Sequence, residues 1–294
     1  MYELQSLVKR HMLRFLRDKT AVFFSFLSII ILLALYFLFI GKSYTSGTDL
    51  SVLSDTTQTY VIAGIMMGGI LVINTISLSL GMMGNIIMDL EQRKLDAFLV
   101  TPVKRYKIIL SYYLSSIIVT ASLTLVMWIL TILYVGIAAN HWYSLSIIIN
   151  VSLYLILFTF ISATLMIYLT TLLKSVNAFG TLSGIIGTFI GFVSGIYMPL
   201  ISLGKTTTYI ASVIPFTHMA IILKQMLLKE PMELMVEEGV PLNVMEQLYV
   251  VYGTKEIGVL GNSVSMTIIM IASLGLAFAL LYFAYRNMTK KMGK

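Results

Sequence analysis

Two stretches imitate a phosphate-binding loop, Gly41-Lys42-Ser43 and Gly204-Lys205-Thr206. That loop needs a further glycine five positions before the second, so that bare backbone N–H groups can cradle phosphate. Tyr36 and Pro199 stand there instead, and both triplets are chance matches. The three histidines, His11, His141 and His218, are scattered without the spacing of metal ligands. Zinc-protease, serine-hydrolase and kinase signatures are missing. The absence of cysteine removes disulfides, thiolate metal sites and thiol nucleophiles. A lipid-modifying enzyme would need acids or histidines clustered at the membrane surface. Asp89, Glu91 and Asp96 are the only intracellular candidates for that, and no carboxylate motif surrounds them. The chain is therefore read as non-enzymatic, with no catalytic residue, no metal site and no bound cofactor.

The elements that carry these residues are membrane helices. Of 294 residues 58% are hydrophobic and only 11% charged, and the apolar residues come in long blocks. The reading is a single transmembrane domain over 1–294, all-α, with six transmembrane helices at roughly 20–40, 60–88, 108–138, 146–173, 178–198 and 264–285. The first block is too long, and lacks the small-residue cleavage site, for a secretory signal. Six spans put both termini on one side. Fifteen of the twenty Lys and Arg residues fall on that side: in the amino-terminal segment, after span two, after span four and at the carboxyl end. The positive-inside rule names it cytoplasmic, which also accounts for the net charge of +7 without nucleic acid.

Residues 1–19 place Leu4, Leu7, Val8, Phe15 and Leu16 at helical spacing among basic residues, the pattern of an interfacial helix in the cytoplasmic headgroup layer. The region 199–262 is the long extracellular segment. Its first half is too apolar for a solvated loop and is broken by Pro215, which predicts short re-entrant helices before the last span. Its second half holds Glu230, Glu233, Glu237, Glu238 and Glu246, read as a solvated face.

Within the spans the ionisable residues an ion-coupled transporter needs are essentially missing, so the energy source must lie elsewhere. Span two carries Asn74, Ser77, Gly81 and Asn85 along one face. That face turns inward, toward either a substrate path or hydrogen-bonding neighbours. Met66, Met67, Met82 and Met83 on the same span read as apolar filling. Span five spaces Gly180, Gly184, Gly187, Gly191 and Gly195 mostly by four, a face that another helix can approach closely, from a second subunit at an interface or gate or from the same chain.

Between spans two and three, residues 89–107 form a densely charged amphipathic cytoplasmic segment, with Leu95, Phe98 and Leu99 as its apolar face and Pro102 ending or kinking it. The physical reading is a docking helix for a cytoplasmic partner. The segment resembles the coupling helix of ABC-2 type permeases, the membrane subunits of bacterial ATP-binding-cassette exporters, at Glu91, Arg93, Lys94, Leu95, Thr101 and Pro102. Looser matches lie at Arg14-Phe15-Leu16-Arg17-Asp18-Lys19, similar to drug-export members, and at Ser194-Gly195-Ile196-Tyr197-Met198-Pro199 and Ile214-Pro215-Phe216. The resemblance implies a bacterial plasma-membrane permease working as a homodimer or heterodimer above ABC ATPase subunits, which bind the ATP and Mg. It also implies export of a cargo such as a drug, antibiotic, toxin or lipid-like molecule. No aromatic-rich tunnel of the polysaccharide-exporter kind is evident, so the expected cargo is amphipathic or hydrophobic. The other classes open to the sequence are the lipid-modifying enzyme above and a non-transporting scaffold or sensor.

Overall fold

A computed structural model of the chain describes residues 2–35, 53–99, 103–193, 195 and 204–291. Among these, eleven helices follow in order: α1 (Tyr2–Arg17), α2 (Lys19–Leu35), α3 (Asp55–Glu91), α4 (Lys94–Leu99), α5 (Arg105–Ala138), α6 (Leu145–Leu172), α7 (Val176–Val193), α8 (Gly204–Ala211), α9 (Pro215–Glu237), α10 (Leu242–Val251) and α11 (Met266–Lys291). The only β pairing among them is an isolated bridge between Val259 and Asn262. α3, α5, α6 and α11 are long and apolar enough to cross a membrane, and α8 with α9 makes a fifth candidate if that bent pair is one span. α2 and α7 coincide with the first and fifth expected spans. Residues 36–40 of the former, and 194 and 196–198 of the latter, lie outside the described residues.

α3 is the axis of the bundle. Its most apolar window is 89% buried, against 33% for α5, 39% for α6 and 22% for α11. It packs against α2, α5, α6, α7 and α9, which explains why polar residues are tolerated all along it. The outer helices turn Ile129, Leu130, Leu153, Phe278 and Tyr282 outward, the side expected to meet lipid. At their carboxyl-terminal ends α11 is tied to α6, where Lys291 Nζ donates to the Leu173 carbonyl at 2.5 Å and Asn287 to the Thr171 hydroxyl at 3.4 Å.

The re-entrant expectation needs correcting in its proportions. Pro215 does not break a helix; it occupies the first turn of α9, where its missing N–H costs nothing, and α9 then runs for 23 residues. The break falls just before it, with α8 and α9 meeting at 95°. Pro231 sits inside α9 and cannot donate to the Leu227 carbonyl. Gly64 of α3 lies against that carbonyl, and a Cβ on Gly64 would stand 3.1 Å from it. One turn deeper, Gly68 faces the backbone of Lys224, and a Cβ on Gly68 would stand 2.9 Å from its nitrogen. Two glycines on α3 therefore let α9 lie backbone against backbone, a role that the span-five glycines had been expected to play.

The outer acids are not all solvated. Glu230 accepts from the Tyr60 hydroxyl at 2.7 Å and from the Ser144 N–H at the start of α6 at 3.1 Å. Glu238 accepts from the Ser54 N–H and hydroxyl, both at 2.8 Å, and from the Thr57 hydroxyl at 2.5 Å. The carboxylates after Pro215 thus pin α9 to the starts of α3 and α6. Lys224, expected in the outer loop, is 4% exposed beside Gly68, and its ammonium donates to the Gly195 carbonyl at 3.2 Å.

Candidate functional site

The carboxyl-terminal end of α3 is the first place to build. The helix closes at Gln92, Arg93 takes a left-handed φ of 53°, and α4 starts at Lys94. That turn redirects the chain without a glycine. Glu91, Arg93 and Lys94 are exposed, whereas Leu95 is 3% exposed and seats α4 on the bundle. The side chain of Phe98, and Thr101 and Pro102 altogether, lie outside the described residues. The described part thus turns its charge outward and one leucine inward.

Two residues before Glu91 stands a group that sequence reasoning did not assemble. Asp89 is fully buried, and an ionised carboxylate there needs compensation. It accepts from the Tyr112 hydroxyl at 2.6 Å and from Arg10 at 3.3 Å, and it pairs with Arg14. Tyr112 stacks on His11 with ring centroids 3.8 Å apart. Glu3 pairs with Lys107 at 2.7 Å, which lowers the carboxyl below its usual range. Glu3, Leu7, Arg10, His11, Arg14 and Phe15 recur every three or four residues, so one stripe of α1 makes all of these contacts. α1 is amphipathic as expected, but the inner ends of α3 and α5 cover much of its apolar face.

His11 Nε2 lies 3.1 Å from the Ser111 hydroxyl, a nucleophile-and-base spacing that bears on the enzyme reading. The surroundings argue against catalysis. Arg10 stands 3.3 Å from His11 Nδ1, so that nitrogen is the acceptor and Nε2 carries the hydrogen, donating to Ser111 rather than taking its proton. Ser111 in turn donates to the Ile108 carbonyl at 2.6 Å. Both side chains are buried, and burial, joined by the Arg10 charge, pushes His11 down to about 3. The pair is a neutral strut between α1 and α5.

Along α3, Asn74 is fully buried and donates to the Thr124 hydroxyl at 3.3 Å; Asn85 is buried, while Ser77 and Gly81 are half-buried. The flanking Thr75 and Ser79 reach Ser162 at 2.9 Å and Thr120 at 3.4 Å. These partners were missed, although Ser116, Thr120 and Thr124 at spacings of four spell the facing stripe of α5. Met66, Met67, Met82 and Met83 are buried around the same axis.

The glycines of α7 divide in two. Gly180, Gly184 and Gly187 are exposed, and a Cβ on any of them would meet nothing within 4 Å, while Ile186 and Ile190 face the core. Gly191 and Gly195 are buried, and Gly195 takes a φ of 66° as the helix ends. Half of the glycine face is thus open and half is enclosed.

None of the curated proteins compared matches the chain. A family model described as ABC-2 type transporter matches residues 2–228, from α1 through most of α9. The chain belongs to the ABC-2 type transporter family, as a multi-pass membrane component of transport.

Proposed function

We propose that the chain is the permease subunit of an ATP-driven exporter, with six spans, both termini in the cytoplasm of a bacterial cell, and a second permease subunit beside it. A separate ABC ATPase subunit, holding ATP and Mg, seats against Glu91, Arg93, Lys94, Leu95, Phe98, Thr101 and Pro102. The observation that carries this reading is α4: a six-residue helix at the end of the buried axis of the bundle, with Lys94 exposed and Leu95 buried. A helix so short gains little stability on its own and is suited to receive a partner.

The open glycines Gly184 and Gly187 supply the subunit interface, with the enclosed Gly191 and Gly195 at its gate. Cargo passes between the paired subunits, and its class is amphipathic or hydrophobic. On α3, Asn74 binds a neighbouring helix, Asn85 is enclosed with it, and the half-buried Ser77 and Gly81 support a place nearer the path.

The test is purification of the tagged chain in mild detergent from its native membrane, with mass identification and an ATPase assay on what co-elutes. A stoichiometric ATPase subunit is the expected result, and its loss from Glu91→Ala and from a Thr101/Pro102 double replacement locates the seat. A chain that elutes alone, under conditions that preserve comparable complexes, overturns the reading.

A further inference from the structure

We propose that Asp89 is a positioning residue of the energy-coupling route: it locks α1 to the root of α4, so that displacement of α4 by the ATPase subunit is delivered through α1 to α2. The inference rests on the reading of the chain as an ATPase-coupled permease.

Three observations support it. Asp89 lies in the last turn of α3, two residues before Glu91, and is fully buried there. Its donors come from two other helices: Arg10 and Arg14 from α1, and Tyr112 from α5. A buried carboxylate that loses these donors stands uncompensated, so the three helix ends move together or the charge must be resolvated. Around it the Glu3–Lys107 pair and the His11–Ser111 bond prevent α1 from pivoting on a single point.

The route then has a short output. α1 and α2 are separated by Asp18 alone. Its N–H donates to the Phe15 carbonyl at 3.1 Å, and its carboxylate accepts from the Ala21 N–H at 2.9 Å, capping α2. Phe15 is 2% exposed and packs with Leu78, Met82 and Val119. A corner fixed on both sides by hydrogen bonds, with its phenyl ring set into α3 and α5, transmits a push instead of absorbing it. Surface salt bridges contribute little; this arrangement differs because the acceptor is inaccessible to water.

The experiment uses the full complex with its co-purifying ATPase subunit. The chain has no cysteine, so Lys9→Cys, Gln92→Cys and Lys174→Cys, all exposed positions, place its only thiols, and they are spin-labelled in pairs on the isolated permease before the ATPase subunit is added back. Distances are measured without nucleotide, with Mg-ATP and after vanadate trapping of ADP. The expected result is an unchanged 9–92 distance and a nucleotide-dependent shift of the 9–174 distance. In the same background Asp89→Asn, which keeps the shape and removes the charge, broadens the 9–92 distribution and shrinks the 9–174 shift, and Asp89→Glu restores both.

A 9–92 distance that changes with nucleotide in the unaltered lock overturns the proposal, as does a 9–174 distance that stays fixed. If Asp89→Asn does not accumulate, the measurements with Asp89 intact decide alone. If no ATPase subunit co-purifies, the permease reading itself fails and the route fails with it; if one does and α1 stays behind, only the route fails.

Discussion

His11 shows what burial does to an ordinary side chain. In the docked helix it holds a proton only near pH 3, whereas free imidazole does so from about 6.5 downward. The docked form therefore binds fewer protons between those values, and its stability is complete above about 6.5 and lost progressively as pH falls toward 3. Arg10, Arg14 and Asp89 all face the ring, and the two arginines oppose protonation. Thermal melting in detergent between pH 7.5 and 5 is expected to show falling stability, by at most about 1.4 kcal/mol per pH unit from this one group. His11→Gln should flatten that slope. Arg14→Ala tests the neighbouring pair. Breaking a buried ion pair costs about 3–5 kcal/mol, and because Arg14 is 26% exposed the expected loss is nearer about 2.

At the scale of the element, the close approach of α3 and α9 is sensitive to a single added methyl group. A Cβ at Gly68 would lie 2.6 Å from Lys224 Cγ and 2.9 Å from Lys224 N, and the second of these is backbone that cannot swing aside. Gly68→Ala is expected to separate the two helices and cost about 1–3 kcal/mol, read as a lowered melting temperature. Gly180→Ala, with nothing within 4 Å of the new carbon, serves as the control.

Elements of this kind differ in how legible they were. The long apolar helices were readable because composition and length decide them, and the observed α3, α5, α6 and α11 enclose or nearly match the expected spans. The amphipathic stripe of α1 was readable from its spacing. What the stripe touches was not, since Arg14 and Asp89 are 75 residues apart and each looks like an unremarkable loop or flanking charge. The glycines of span five drew attention because they form a row. Gly64 and Gly68 mattered more within the protomer, yet as a single pair they gave no such signal. The break expected at Pro215 falls directly before it, and the proline itself opens the helix that follows.

For the whole molecule, the two faces of α7 make a separable prediction. Ile186 and Ile190 hold the helix to its own bundle, while Gly184 and Gly187 look outward between Ile185 and Phe189, which are 58% and 52% exposed. Gly184→Leu is expected to leave the protomer's melting temperature unchanged and to lower the dimer fraction seen by light scattering in mild detergent. An undiminished dimer would move the interface away from this helix. The outer carboxylates act at the same scale, because Glu230 and Glu238 each join helices far apart in the chain. Desolvation raises the Glu238 carboxyl, and the hydrogen bonds from Thr57 and Ser54 together outweigh it and hold the group below its usual range. The contact is therefore intact above the unfolded value near 4.5 and is lost as pH falls through the lower folded value.

Lys224 has a consequence for how the protein is made. An isolated segment carrying a lysine near its centre inserts into a bilayer at a penalty of about 2.5–3.5 kcal/mol. The acceptor of that ammonium, Gly195, and the glycine that admits its stem, Gly68, belong to helices synthesised earlier. The α8–α9 segment therefore cannot settle in its place before α3 and residue 195 are there to receive its lysine, and its burial depends on parts of the chain already made.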